Sequence, residues 1–224
     1  MPFQNRVEAG RKLAAALAGY KDDKPVVLAL PRGGVPVAAE VARALHAPLD
    51  LVLVRKIGVP WHAELAMGAV VDGEAPLVVR NDDIIAMAHA DEAEFRSACD
   101  RELIEIDRRR QLYLGDRERV AVAGRVAIVV DDGVATGATT RAALLATRMR
   151  NPKKLVLAVP VAPTESLAEM RREADEVVCL EDYAAFGAIG YYYSDFRQIS
   201  DEEVIGILAE FPVHGATDSR KPAA

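Results

Sequence analysis

The stretch that most constrains this chain is residues 125–140, RVAIVVDDGVATGATT. An unbroken apolar run ends on two adjacent acids. A loop of small residues and threonines follows, and a helix-like pattern starts near Thr139. The run does not alternate in polarity, so it predicts a strand covered on both faces, as in a parallel sheet between helices. The carboxyl end of such a strand is the usual ligand edge. The same texture recurs at residues 26–30, which run into Pro31-Arg32-Gly33-Gly34 and a helix over 37–44. Pro36 suits that helix's first turn, where its missing N–H costs nothing. A second run, 49–54, ends at Arg55-Lys56. Strands at 155–159 and 176–180 alternate with helices at 139–150 and 164–174. The expected fold class is α/β, with three layers in which helices flank a parallel sheet.

Other segments break this rhythm. Residues 5–20 have helical spacing and an Ala-rich face. Ala69-Val70-Val71, Asp72-Gly73 and Leu77-Val78-Val79 predict a hairpin with a glycine-containing turn. Residues 91–113 read as a charged helix with apolar positions at Phe95, Ala98, Leu103 and Ile106. An aromatic segment over 186–196 precedes a short helix at 201–211, and the polar tail from His214 is expected to fray. At 224 residues the chain suits one large domain. We expect a core at about 20–180, an inserted hairpin and helix at about 57–118, a C-terminal hood at about 181–212 and a tail at 213–224.

Composition narrows the function. The net charge is −6, which argues against a general nucleic-acid binder relying on excess Lys and Arg. No run is long and apolar enough to span a bilayer, and the N-terminus lacks a secretory h-region. Cys99 and Cys179 have no metal-ligand spacing, so a cytoplasmic setting is expected. His46, His62, His89 and His214 show no paired metal spacing. Arg108-Arg109-Arg110 lies among acids and reads as a solvated helix face.

The loop Asp131-Asp132-Gly133-Val134-Ala135-Thr136-Gly137-Ala138-Thr139-Thr140 carries the chemistry. Its glycines let the backbone approach a ligand, its threonines add hydroxyl donors, and the following helix N-terminus favours an anion. Asp131 and Asp132 would repel a phosphate but can accept sugar hydroxyls, directly or through a metal. The plain alternative is that they cap a turn. Neither a P-loop nor a dinucleotide fingerprint occurs.

This segment resembles the phosphoribosyl diphosphate (PRPP) motif of type I phosphoribosyltransferases, and the resemblance runs over about 26–180. It implies the type I fold with a small hood and a helical insertion. It also implies that Asp131 and Asp132 hold the ribose hydroxyls, that residues 135–140 hold the 5-phosphate, and that Mg²⁺ is carried mainly by PRPP. Gly133 departs from the family, which usually has an aliphatic residue there. Pro31-Arg32-Gly33-Gly34 stands where the family has its diphosphate loop. There the glycines would adopt conformations a Cβ forbids and turn their amides inward, and Arg32 would supply planar donors. Arg55 and Lys56 are further diphosphate candidates. Residues 58–68, with Pro60, Trp61, His62 and Glu64, resemble the start of the family's mobile loop.

The implied reaction transfers 5-phosphoribose from PRPP to a small nitrogenous acceptor, with Arg32, Lys56, Asp131 and Asp132 as the catalytic candidates. A nucleobase acceptor would make it nucleotide salvage. Ala135 stands where 6-oxopurine enzymes of the family carry an Asp. Phe186 and Tyr191 are candidates to stack on the acceptor, against the alternative of a hydrophobic cap. A homodimer is compatible with such a chain. The competing reading is a non-catalytic PRPP-sensing regulator that binds RNA or a protein.

Overall fold

The computed structural model describes residues 2–73 and 76–212. The expected tail, 213–224, lies outside the described residues. Helix α1 (Arg6–Ala16) starts at Asn5, whose side chain accepts from the Glu8 N–H. It ends before a short 3-10 turn, Ala18–Asp23. Strand β1 (Val26–Ala29), helix α2 (Gly34–Leu45) and strand β2 (Leu49–Leu51) follow. Three strands then leave the core: β3 (Val54–Val59), β4 (His62–Val71) and β5 (Leu77–Arg80). Helices α3 (Asp82–Met87) and α4 (Glu92–Tyr113) come next. The core resumes with β6 (Val126–Val130), α5 (Ala138–Met149), β7 (Lys154–Pro163), α6 (Thr164–Glu173) and β8 (Glu176–Tyr183). A 3-10 turn, Ile189–Tyr192, leads to helix α7 (Asp201–Ala209).

The core sheet is parallel throughout, in the order β2-β1-β6-β7-β8. Successive strand residues feed opposite layers. Val27, Ala29, Ile128 and Val130 pack with α1, α2 and α7, whereas Val26, Leu28, Ala127 and Val129 pack with α5 and α6. Burial on both faces explains the unbroken apolar runs. The sheet order reverses between β1 and β6, so their carboxyl ends flank the crevice where ligands of open α/β sheets bind.

The insertion forms an antiparallel sheet, β3-β4-β5, on which Phe95, Ala98 and Ile106 of α4 pack. The predicted hairpin is its β4–β5 half. Two expectations need correction. The run at 49–54 is not one strand: the chain leaves the parallel sheet after Leu51 and enters the antiparallel one at Val54. Arg55 and Lys56 therefore sit inside β3 and do not end a core strand. Residues 58–68, expected to begin a mobile loop, are mostly β3–β4 hairpin, with Trp61 exposed at its turn. Residues 184–199 cross the carboxyl end of the core, whereas α7 joins the α2 layer through Val204 and Leu208.

Candidate active site

The two loops singled out in the sequence meet at the β1–β6 switch point. Gly33 has φ −61° and ψ −37°, ordinary right-handed values. Its glycine is needed for space rather than for the backbone freedom expected. A Cβ there would overlap the Asp132 carboxylate, and one at Gly34 would stand 2.8 Å from the Val130 carbonyl oxygen. The loop after β1 thus lies directly on the loop after β6. Gly33→Ala is expected to cost about 1–3 kcal/mol, as overpacking does. A urea melt reads it, and an unchanged midpoint would contradict the close approach. The Gly34 N–H donates to the Leu30 carbonyl at 3.0 Å, so it starts α2 and does not face a ligand as expected. The Arg32 and Gly33 amides take no acceptor among the described residues. The Pro31–Arg32 peptide is cis.

Arg32 Nη1 lies 3.3 Å from Asp201 Oδ1 at the start of α7, and the Tyr113 hydroxyl at the end of α4 donates to the same oxygen. Tyr113 and then Arg32 hold the Asp201 carboxyl below its ordinary range. Burial, followed by that hydrogen bond, pushes the Tyr113 hydroxyl up to about 12.

In the β6 loop, Asp131 is half-buried and accepts the Asp132 N–H at 2.9 Å. Asp132 is buried, with Oδ2 2.7 Å from Arg6 Nε of α1. The Tyr193 hydroxyl donates to the Asp132 backbone carbonyl at 2.6 Å. Burial, and then the Asp132 charge, raise the Asp131 carboxyl well above its ordinary range. Burial also raises Asp132, but Arg6 opposes the shift. The Arg6 guanidinium thus favours the charged form of Asp132, which in turn disfavours ionisation of Asp131.

Gly133 makes room for Ile189: a Cβ there would stand 2.7 Å from Ile189 Cγ2. The aliphatic bulk expected at this position comes from the crossing segment instead. Gly137, at φ +78°, uses the left-handed conformation that glycine permits. The Ser166 hydroxyl donates to the Ala135 carbonyl at 2.8 Å and fixes the loop. The first bond inside α5 runs from the Arg141 N–H to the Gly137 carbonyl, 2.8 Å, leaving the first-turn amides without helical acceptors. Thr136 and Thr139 are exposed there, whereas Thr140 is buried. A cleft of about 560 Å³ adjoins this turn, lined by Ala138, Arg141, Arg80, Asn81, Asp82 and Asp83 among others.

Residues 3–195 match the family model for the phosphoribosyl transferase domain. The chain belongs to the phosphoribosyl transferase family. It is 46% identical over 221 residues to a Mycobacterium tuberculosis protein, Rv0571c, named provisionally as a phosphoribosyl transferase. The match covers 97% of this chain but 49% of that protein, so the chain spans about half the length of the curated relatives it matches. The crystal structure of TT1426 from Thermus thermophilus is 42% identical, with a TM-score of 0.82 over 95% of this chain and 100% of that one. The five-stranded parallel sheet between helices is thus the fold of a phosphoribosyl transferase, with a small antiparallel sheet added.

The other candidate residues make their own contacts. Arg55 Nε is 2.7 Å from Glu102 of α4, and Lys56 is exposed on β3. Phe186 is stacked on Tyr192 at 4.8 Å, and Tyr192 on Tyr183 at 4.6 Å. It therefore belongs to the hydrophobic cap weighed as its alternative, whereas Tyr191 is 78% exposed. Sequence reasoning missed Arg6, Tyr113 and Asp201, and the tie of Tyr193 to the Asp132 carbonyl. Arg6 left a signal: it shares the buried face of α1 with Ala9, Gly10 and Leu13 at offsets of three, four and seven. A charge on that face needs a buried partner.

No cluster of three metal-ligating side chains occurs among the described residues. Mg²⁺ is commonly held by one or two carboxylates together with substrate phosphates, so half-buried Asp131 fits an ion that arrives with its ligand, whereas the Asp132 carboxylate is taken up by Arg6. No described helix is long and apolar enough to cross a membrane.

Proposed function

We propose that this chain transfers 5-phosphoribose from PRPP to a small nitrogenous acceptor and releases diphosphate. The observation that carries the reading is the direct contact of the Arg32-Gly33-Gly34 turn with the Asp131-Asp132 loop at the switch point. One ligand carrying phosphate at both ends of a ribose can span these loops. The 5-phosphate is held by the first-turn amides of α5 with Thr136 and Thr139, and the ribose hydroxyls donate to Asp131, with Asp132 behind it. Arg32 and the Arg32 and Gly33 amides stabilise the departing diphosphate, and Lys56, exposed on β3, is the further candidate cation for it. Mg²⁺ held by PRPP and Asp131 would neutralise charge on the leaving group. The acceptor nitrogen attacks C1 of the ribose from the opposite side, the C1–diphosphate bond breaks with inversion, and the acceptor's proton passes to solvent. Positioning and electrostatics supply most of the catalysis.

Exposed Tyr191 is the ring open to a planar acceptor, and a nucleobase would fit it. Ala135 lacks the carboxylate expected for 6-oxopurines. The setting is cytoplasmic in this reading. Arg32→Ala tests the assignment of the two loops. Calorimetry should show diphosphate affinity falling about tenfold, the loss of one charge-assisted contact of about 1.5 kcal/mol. Ribose 5-phosphate affinity should change little. Equal losses would overturn the assignment.

A further inference from the structure

We propose that Arg6 is a positioning residue that sets the spacing between the loop after β1 and the loop after β6. The proposal rests on the reading above, in which these loops hold the two ends of PRPP. Arg6 is buried and ion-paired with Asp132 rather than placed on either loop. Its Nε is 2.7 Å from Asp132 Oδ2, and that oxygen is the atom a Cβ on Gly33 would strike first. The carboxylate is thus held between α1 and the floor of the Arg32-Gly33 turn. Arg6 is itself fixed twice over. Its Nη1 donates to the Arg197 carbonyl at 2.9 Å, and its guanidinium lies 3.9 Å from the Phe196 ring centroid. The planar fork is suited to such a geometry. Without a cation here, the buried carboxylate must move or take up a proton, and the turn resting on it moves too.

A ligand that spans both loops feels their spacing, whereas a ligand on one loop does not. Calorimetry with Mg²⁺ on the full chain, well below each melting midpoint, compares PRPP, ribose 5-phosphate and diphosphate. Arg6→Gln is expected to weaken PRPP by about tenfold or more while changing the two single-loop ligands by less than about threefold. Arg6→Lys should recover part of the PRPP loss. Unchanged PRPP affinity in folded Arg6→Gln would make Arg6 a stability residue only and overturn the proposal. Equal loss of PRPP and ribose 5-phosphate would also overturn it, because Asp132 would then be a direct ribose ligand. If Arg6→Gln does not fold, Arg6→Lys must itself show a PRPP-selective loss or the proposal fails. Wild-type protein that binds none of the three ligands would refute the loop reading itself, and the proposal with it.

Discussion

An Asp131→Asn protein is expected to keep or gain thermal stability while losing on the order of a hundredfold or more in kcat/KM for PRPP. Burial and the Asp132 charge raise the Asp131 carboxyl above its ordinary range. Its folded pKa therefore exceeds the unfolded one, and ionisation costs stability. That cost appears as pH rises above the unfolded carboxylate range and is complete above the folded pKa. Asn removes the charge and keeps an acceptor for the Asp132 N–H, now at 2.9 Å. Ribose hydroxyls and Mg²⁺ favour the ionised acid, so PRPP binding should strengthen as pH rises through the Asp131 pKa and should release a proton at pH below it. Calorimetry in two buffers of different ionisation enthalpy counts that proton, and the variant should release none. Wild-type turnover in the variant, or a clear fall in its melting temperature, would contradict this role.

Asp132→Asn should behave in the opposite way. It leaves the Arg6 guanidinium buried without its carboxylate. Removing one partner of a buried pair costs about 3 kcal/mol or more, or roughly 6–12 °C in melting temperature for a chain of this size. Adjacent acids with opposite effects on stability would be the signature of this loop. A melt of Asp132→Asn that matches wild type would show that the Arg6 pair carries little stability.

The two loops were legible in the sequence as loops because each follows an apolar strand and leads into a helical pattern. The parallel core was legible for the same reason: strands buried on both faces read as unbroken apolar runs. The boundary at residues 51–54 was not legible. Val52 and Leu53 are apolar and buried like β2 and run without a break into the apolar first residue of β3, Val54, so nothing in the run marks the passage from one sheet to the other. Gly33 was singled out for backbone freedom, whereas the structure needs it for space, because the Asp132 carboxylate it accommodates arrives from a loop about a hundred residues away. The ties from Arg6 to Asp132 and from Arg32 to Asp201 span 126 and 169 residues. Only the fold brings such pairs together. The place of Arg6 on an otherwise apolar helix face was the one local hint.

The central claim is transfer of phosphoribose from PRPP. Its most direct test follows diphosphate release from PRPP and Mg²⁺ across a panel of purine, pyrimidine and amine acceptors. We predict release that depends on one class of acceptor, needs Mg²⁺ and is lost in Asp131→Asn. PRPP binding without release for any acceptor would contradict the transferase account and leave a PRPP-sensing regulator in its place.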